Sequence, residues 1–190
     1  TPTEAAGVGA SAALILGLSL GRLNISGVLR ALKDSVFQTS MIFVIAIGGK
    51  LFVNFIALTG LANEITFWIE STDASIFVVI GLIVVMYIFL GMFLDPIGII
   101  LLSLPLTIPI VEAYGLSLIW FGVVVVKLLE IGLVTPPIGL NVFVLKGVVG
   151  NVTTATIFRG VTPFWVVDII RLAVLVLIPS LVLFLPNSMH

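Results

Sequence analysis

Apolar residues run through this chain in long blocks, separated by short polar stretches. A helix that crosses the hydrocarbon core of a bilayer needs about 20 mostly apolar residues, and residues 4–23 supply a first such block. It is rich in small residues. Gly17 and Gly21 form a GxxxG within it, a spacing that permits close helix packing. Residues 22–35 then carry Arg22, Arg30, Lys33 and Asp34, with Ile25, Val28, Leu29 and Leu32 at helical spacing. This predicts a short amphipathic helix on the membrane surface. A second span follows over residues 36–58. Lys50 and Asn54 interrupt it; they are four apart and share one helix face beside Gly48 and Gly49. Lys50 reads as a bundle-facing or snorkelling lysine as readily as a functional one. Residues 59–75 hold Glu64, Glu70 and Asp73 but no Lys or Arg, and read as a connecting loop or interfacial segment anchored by Phe67 and Trp68.

From residue 76 the pattern changes. Residues 76–94 are strongly apolar and end in Gly91-Met92-Phe93-Leu94-Asp95-Pro96; residues 97–111 follow at once, broken by Pro105 and Pro109. An apolar run that short suits a re-entrant segment or a buried helix better than a span. A Gly and an Asp-Pro without a surrounding polar loop predict a helical hairpin whose tip lies inside the protein at membrane depth. Two ordinary spans joined by a tight turn are the alternative. A further apolar helix over residues 116–134 meets Thr135-Pro136-Pro137-Ile138-Gly139, and apolar sequence resumes at Val142. Two successive prolines lack N–H donors and block the helix, so this is an interrupted membrane helix. A last span is expected over residues 161–185, ended by Pro186 and Asn187. The expected organisation is therefore two parts. Residues 1–75 hold two transmembrane helices, a cytoplasmic amphipathic connector and an external loop. Residues 76–190 hold a re-entrant hairpin, a proline-broken helix and a last transmembrane helix.

Composition bounds the function. Of 190 residues, 61% are hydrophobic and 9% charged, with a mean hydropathy of +1.38. A water-soluble fold cannot hide that much apolar surface, so a soluble enzyme is excluded and an all-α integral membrane protein expected. Eight Lys and Arg against nine Asp and Glu leave no basic footprint for nucleic acid. There is no cysteine. The chain opens at Thr1 close to an apolar block, which predicts a piece of a longer polypeptide. Arg22, Arg30, Lys33, Lys146 and Arg159 fall in two connections, 22–35 and 140–160, whereas 59–75, 112–115 and 186–190 have none. The positive-inside rule makes the first two cytoplasmic and the rest external. Sequons at Asn24 and Asn151 then lie inside, as chance matches.

Catalytic constellations are sparse. The single His is His190, so no His-based triad or zinc site is available, and no enzyme is predicted. The stronger signal is a hairpin tip (91–96) and a proline-broken helix (132–139) in one chain. Secondary transporters build mid-membrane sites from such interruptions, where unwound carbonyls bind Na⁺ and half-helix N-termini face anionic groups. Thr135 adds a hydroxyl, and Gly132 lets a cation approach the backbone. Lys127 and Glu130 are three apart, as are Asp168 and Arg171. Each pair can neutralise itself on one face as a structural ion pair, or serve coupling or gating.

Taken in order, these residues carry a resemblance. The strings Gly91-Met92-Phe93-Leu94-Asp95, Pro105 and Pro109, Gly115, Trp120-Phe121-Gly122, Glu130 through Phe143, Pro163-Phe164 and Leu185-Pro186 resemble the large membrane subunit of TRAP (tripartite ATP-independent periplasmic) transporters over essentially the whole chain. Thr1-Pro2-Thr3-Glu4-Ala5-Ala6 resembles the start of that family's second half. The resemblance implies the C-terminal half of a permease subunit, one half of an inverted-repeat elevator transporter. It implies a Na⁺-coupled importer of organic acid anions, dicarboxylate or sialic-acid-like, multi-pass in the bacterial inner membrane. Its implied partners are the N-terminal half of the same subunit, a small membrane subunit and a periplasmic substrate-binding protein. By motif position it selects Gly91, Gly132, Thr135 and Ile138 for Na⁺. It places Asp95, Pro136, Pro137 and Asn141 in the substrate or tip region, and makes Lys127 and Glu130 possible coupling charges. A non-transporting scaffold or channel subunit is the alternative. A channel should show a polar stripe along several helices; here the polar residues gather at two helix breaks.

Overall fold

In a computed structural model of the chain, residues 1–150 and 152–189 are described, with the Glu70 side chain left aside. Asn151 and His190 lie outside the described residues. The described residues form nine helices: α1 (Pro2–Ser19), α2 (Ile25–Thr59), α3 (Leu61–Ser71), α4 (Ile76–Gly91), α5 (Pro96–Ala113), α6 (Leu118–Val134), α7 (Leu140–Val149), α8 (Thr154–Leu177) and α9 (Pro179–Ser188). Two compact units divide at Ile45–Ala46, inside α2.

In the first unit, a capping box between Thr1 and Glu4 starts α1. The helix ends earlier than expected. The Gly21 N–H bonds the Leu18 carbonyl and the Arg22 N–H bonds the Gly17 carbonyl, with Gly21 at φ 64°. That is a Schellman turn, which needs a left-handed residue just past the helix. Gly21 is therefore a helix stop and not half of a GxxxG face, and Gly17 packs against Leu23 of the same turn. Asn24 caps α2 through its side-chain oxygen, which accepts from the Gly27 N–H at 2.8 Å. No separate amphipathic connector exists: residues 25–59 are one helix of 35 residues. At 1.5 Å per residue it is about 52 Å long, against a hydrocarbon core of about 30 Å. Nothing between residues 25 and 59 stops a helix, because the stretch has no proline and its only glycines are interior.

In the second unit, residues 61–71 form a helix where a loop or interfacial segment was expected. Ile65 and Ile69 of α3 pack toward the core while Phe67 and Trp68 stay exposed. The hairpin is present as α4, a four-residue turn and α5. Tyr114, which caps the end of α5, donates its hydroxyl to the Ala74 carbonyl just before α4 at 2.8 Å. Pro105 and Pro109 do not end α5, which runs 18 residues, longer than the run expected from the sequence. Within the hairpin the Ser103 hydroxyl donates to the Tyr87 hydroxyl at 2.7 Å, with Thr107 beside them, all buried. Tyr87 also meets the Phe121 ring edge to face, and α4, α5 and α6 supply most of the core.

The expected last span is two helices. α8 begins at Thr154 and ends at Leu177, and Pro179 opens α9. A proline disfavours helical backbone in the residue before it, and Ile178 sits at φ −126°, ψ 74°. Pro179 also has no N–H for the Leu175 carbonyl; the Trp120 indole N–H of α6 takes that carbonyl at 2.8 Å. Pro186 lies inside α9 instead of ending the span. Among the described residues three helices, α2, α5 and α8, are long and apolar enough to cross a membrane. Large apolar side chains such as Phe43, Leu58, Phe77, Val85 and Phe184 stand exposed along the helices, a surface that needs lipid or protein around it. The chain is an integral membrane protein.

Candidate functional site

The two interruptions meet in space. Gly91 closes α4 and Gly132 lies in the last turn of α6, and both are buried. A Cβ built on either would stand 2.7 Å from the Cα of the other. The two backbones touch, an approach open only to residues without a side chain.

Beyond Gly132 the helix loses its ladder. Pro136 and Pro137 have no N–H for the Gly132 and Leu133 carbonyls. Gly132 instead accepts from the Thr135 N–H at 3.1 Å. Thr135 leaves the helix with extended backbone, is buried, and turns its hydroxyl back to the Ile131 carbonyl at 2.6 Å. The same hydroxyl oxygen accepts from the indole N–H of Trp165 on α8 at 2.9 Å. A hydroxyl has one proton and two lone pairs, so one lone pair of Thr135 remains for a further partner. Among the described residues the Gly91 carbonyl receives no backbone hydrogen bond beyond its helix. Gly139, at φ 60°, then opens α7.

The remaining sequence candidates divide. Pro136, Pro137, Ile138 and Asn141 are exposed along the break and the start of α7, and no side-chain hydrogen bond joins Ile138 or Asn141 to Thr135. Pro136 lines a cavity of about 260 Å³ with Val134, Phe158, Val161, Thr162 and Trp165. Asp95 is the N-cap of α5: its carboxylate accepts from the Ile97 and Gly98 N–H groups at 3.0 and 3.1 Å. Lys127 does more than pair with Glu130. Its ammonium also donates to Asp168 of α8 at 3.0 Å, and Asp168 meets Arg171 at 3.5 Å. The two i,i+3 pairs read from the sequence are one neutral four-charge network across α6 and α8.

Sequence reasoning missed Trp165. A tryptophan inside an apolar run must still place its N–H, and that was the available signal. Among the described residues no three His, Asp or Glu gather as a metal cluster. The polar atoms at the crossing are backbone carbonyl oxygens and one hydroxyl, a hard, uncharged oxygen set without the thiolate or imidazole ligands that soft metals prefer.

A family model described as "Tripartite ATP-independent periplasmic transporter, DctM component" matches residues 1–181. The sialic acid TRAP transporter large permease protein SiaM of Vibrio cholerae is 32% identical over 188 residues, 98% of this chain and 44% of that protein. The C4-dicarboxylate TRAP transporter large permease protein DctM of Pseudomonas aeruginosa is also 32% identical, with the same coverage of both chains. The ectoine TRAP transporter large permease protein TeaC of Halomonas elongata is 28% identical, over 97% of this chain and 43% of that protein. The chain thus spans less than half the length of these relatives.

Proposed function

The chain belongs to the DctM component family of tripartite ATP-independent periplasmic transporters, and on that premise we propose that it is one half of a permease that imports an organic acid anion with Na⁺. A sialic-acid-like or dicarboxylate anion would be delivered by a periplasmic binding protein across the bacterial inner membrane. The other half of the subunit and a small membrane subunit complete the machine. The α4–α5 hairpin is re-entrant, and α4 to α8 move as part of an elevator.

The observation that carries the reading is the Gly91–Gly132 contact, which puts an unpaired carbonyl of the hairpin beside a helix that has lost two N–H donors. Na⁺ takes the carbonyl oxygens of Gly91, Gly132 and Ile138 and the remaining lone pair of Thr135. Substrate lies against Pro136, Pro137 and Asn141. The Lys127 network serves to hold α6 on α8 rather than to couple ions, because all four of its charges are already compensated.

The test is uptake against Na⁺ concentration in proteoliposomes containing the full permease and its binding protein, with sialic acid and a C4-dicarboxylate as trial substrates. Thr135→Ala removes one ligand and should raise the Na⁺ concentration for half-maximal uptake about tenfold or more. Thr135→Ser keeps the hydroxyl and should be much milder. An unchanged Na⁺ curve in Thr135→Ala, with a shift in Lys127→Ala or Glu130→Gln, would assign coupling to the charges instead.

A further inference from the structure

We propose that Trp165 is a positioning residue for the cation site: its indole N–H holds the Thr135 hydroxyl in the one orientation that offers a lone pair to the ion. The inference rests on the reading of that site given above, and it adds a residue from α8, which contributes none of the four ligands.

Thr135 sits where the backbone has least to hold it. It follows the last turn of α6 and precedes two prolines that cannot donate. Its side chain is therefore fixed by what the hydroxyl bonds and by the χ1 restriction of its β-branch. The proton goes to the Ile131 carbonyl at 2.6 Å, which keeps it from pointing toward a cation. One lone pair takes the Trp165 N–H at 2.9 Å. These two bonds leave a single direction for the second lone pair.

Trp165 has reason to stay in place. It lines the mostly apolar cavity of about 260 Å³ with Val134, Pro136, Phe158 and Val161, and an indole N–H in such a setting needs a partner. Three residues along α8, Asp168 bonds Lys127 of α6. Seven further on, the Leu175 carbonyl takes the Trp120 indole of α6. The donor is thus carried by a helix tied to α6 at three levels, and a shift of α8 relative to α6 would be felt at the Thr135 oxygen.

The measurement is the Na⁺ concentration at half-maximal thermal stabilisation of the purified full permease complex, with choline replacing Na⁺ at constant ionic strength, since a ligand that binds the folded state raises its stability. Trp165→Phe should raise that midpoint about threefold, the scale of one net hydrogen bond. In the Thr135→Ser background the rise should grow to about tenfold, because serine lacks the branched methyl that also restrains the rotamer. In the Thr135→Ala background Trp165→Phe should add nothing. An equal rise in the Thr135→Ala background would overturn the inference, since the indole would then act through packing alone. A shift in Thr135→Ala without any in Trp165→Phe would overturn it while leaving the cation site standing. No shift in Thr135→Ala would remove both. Should Trp165→Phe fail to assemble, benzothienylalanine at 165 replaces only the N–H by sulfur and must give the same three results.

Discussion

The chain interrupts its helices twice near one point, and the two interruptions are built in opposite ways. At the hairpin turn the chain satisfies itself apart from the Gly91 carbonyl. The Phe93 and Leu94 N–H groups return to the Leu90 carbonyl, and the Asp95 carboxylate takes two N–H groups of the next helix. At the Thr-Pro-Pro break the chain cannot do so, because two prolines have removed the donors. Its one ordering side chain, Thr135, is held partly by Trp165 from thirty residues further on. A self-closed turn makes a rigid wedge. An open break leaves carbonyls and a hydroxyl with spare lone pairs, which on the proposed reading join the Gly91 carbonyl as the cation's ligands. The Gly91–Gly132 contact presses the wedge against the break.

The largest effect should come from prying them apart. Gly91→Ala or Gly132→Ala places a methyl 2.7 Å from backbone that belongs to another helix and cannot swing aside as a side chain could. Overpacking of that kind should cost about 3 kcal/mol, read as a lower thermal midpoint of the purified permease. Gly81→Ala in α4 and Gly122→Ala in α6 are the internal controls. Nothing lies within 4 Å of a Cβ at either, so each should be neutral or stabilising by up to about 1 kcal/mol through helix propensity. If Gly91→Ala proved as harmless as Gly81→Ala, the close crossing would not exist and the comparison would collapse.

The next effect sharpens the idea that the hairpin is held from within. Tyr87 is 0% exposed, and its hydroxyl receives the Ser103 proton at 2.7 Å. Tyr87→Phe leaves that buried Ser103 hydroxyl without its acceptor and should cost about 1–2 kcal/mol of stability. The Na⁺ midpoint should not move, because the lost bond joins α4 to α5 and touches neither Thr135 nor its carbonyls. A shifted Na⁺ midpoint in Tyr87→Phe would show that the wedge and the break are less separate than their hydrogen bonds make them.

What was legible from the sequence was what a few neighbouring residues decide. The Asp95-Pro96 turn and the Pro136-Pro137 break follow from proline's missing N–H and from apolar run length, and both stand where expected. Some local signals point two ways. A single glycine after an apolar helix fits a packing motif and a helix stop equally, and Gly21 is the stop. Pro179 lies inside an apolar stretch that reads as one span, yet it divides α8 from α9. The polar residues of 22–35 obscured the absence of any helix breaker between 25 and 59. Other features were not local at all. That Lys127 reaches Asp168, that Trp120 serves the carbonyl freed by Pro179, and that Trp165 bonds Thr135 all depend on α6 and α8 lying antiparallel. Spacing along one helix shows which residues share a face, not which helix that face meets.

The smallest effect concerns Asp95, and it decides whether that carboxylate belongs to the turn or to the ion. As an N-cap it accepts from Ile97 and Gly98, with Pro96 in the first helical position, where no N–H is needed. Asparagine caps about as well as aspartate. Asp95→Asn should therefore change stability by no more than a few tenths of a kcal/mol beyond the loss of its charge at the helix N-terminus. Asp95→Ala removes both N–H partners and should cost about 1 kcal/mol. Neither should alter the Na⁺ midpoint, since both bonds run within the turn and its own helix. A carboxylate that ligated the ion would behave the other way round. Asp95→Asn would then lose Na⁺ affinity at unchanged thermal stability, and the Asp95 carboxylate would have to be counted among the cation ligands together with the Gly91 carbonyl.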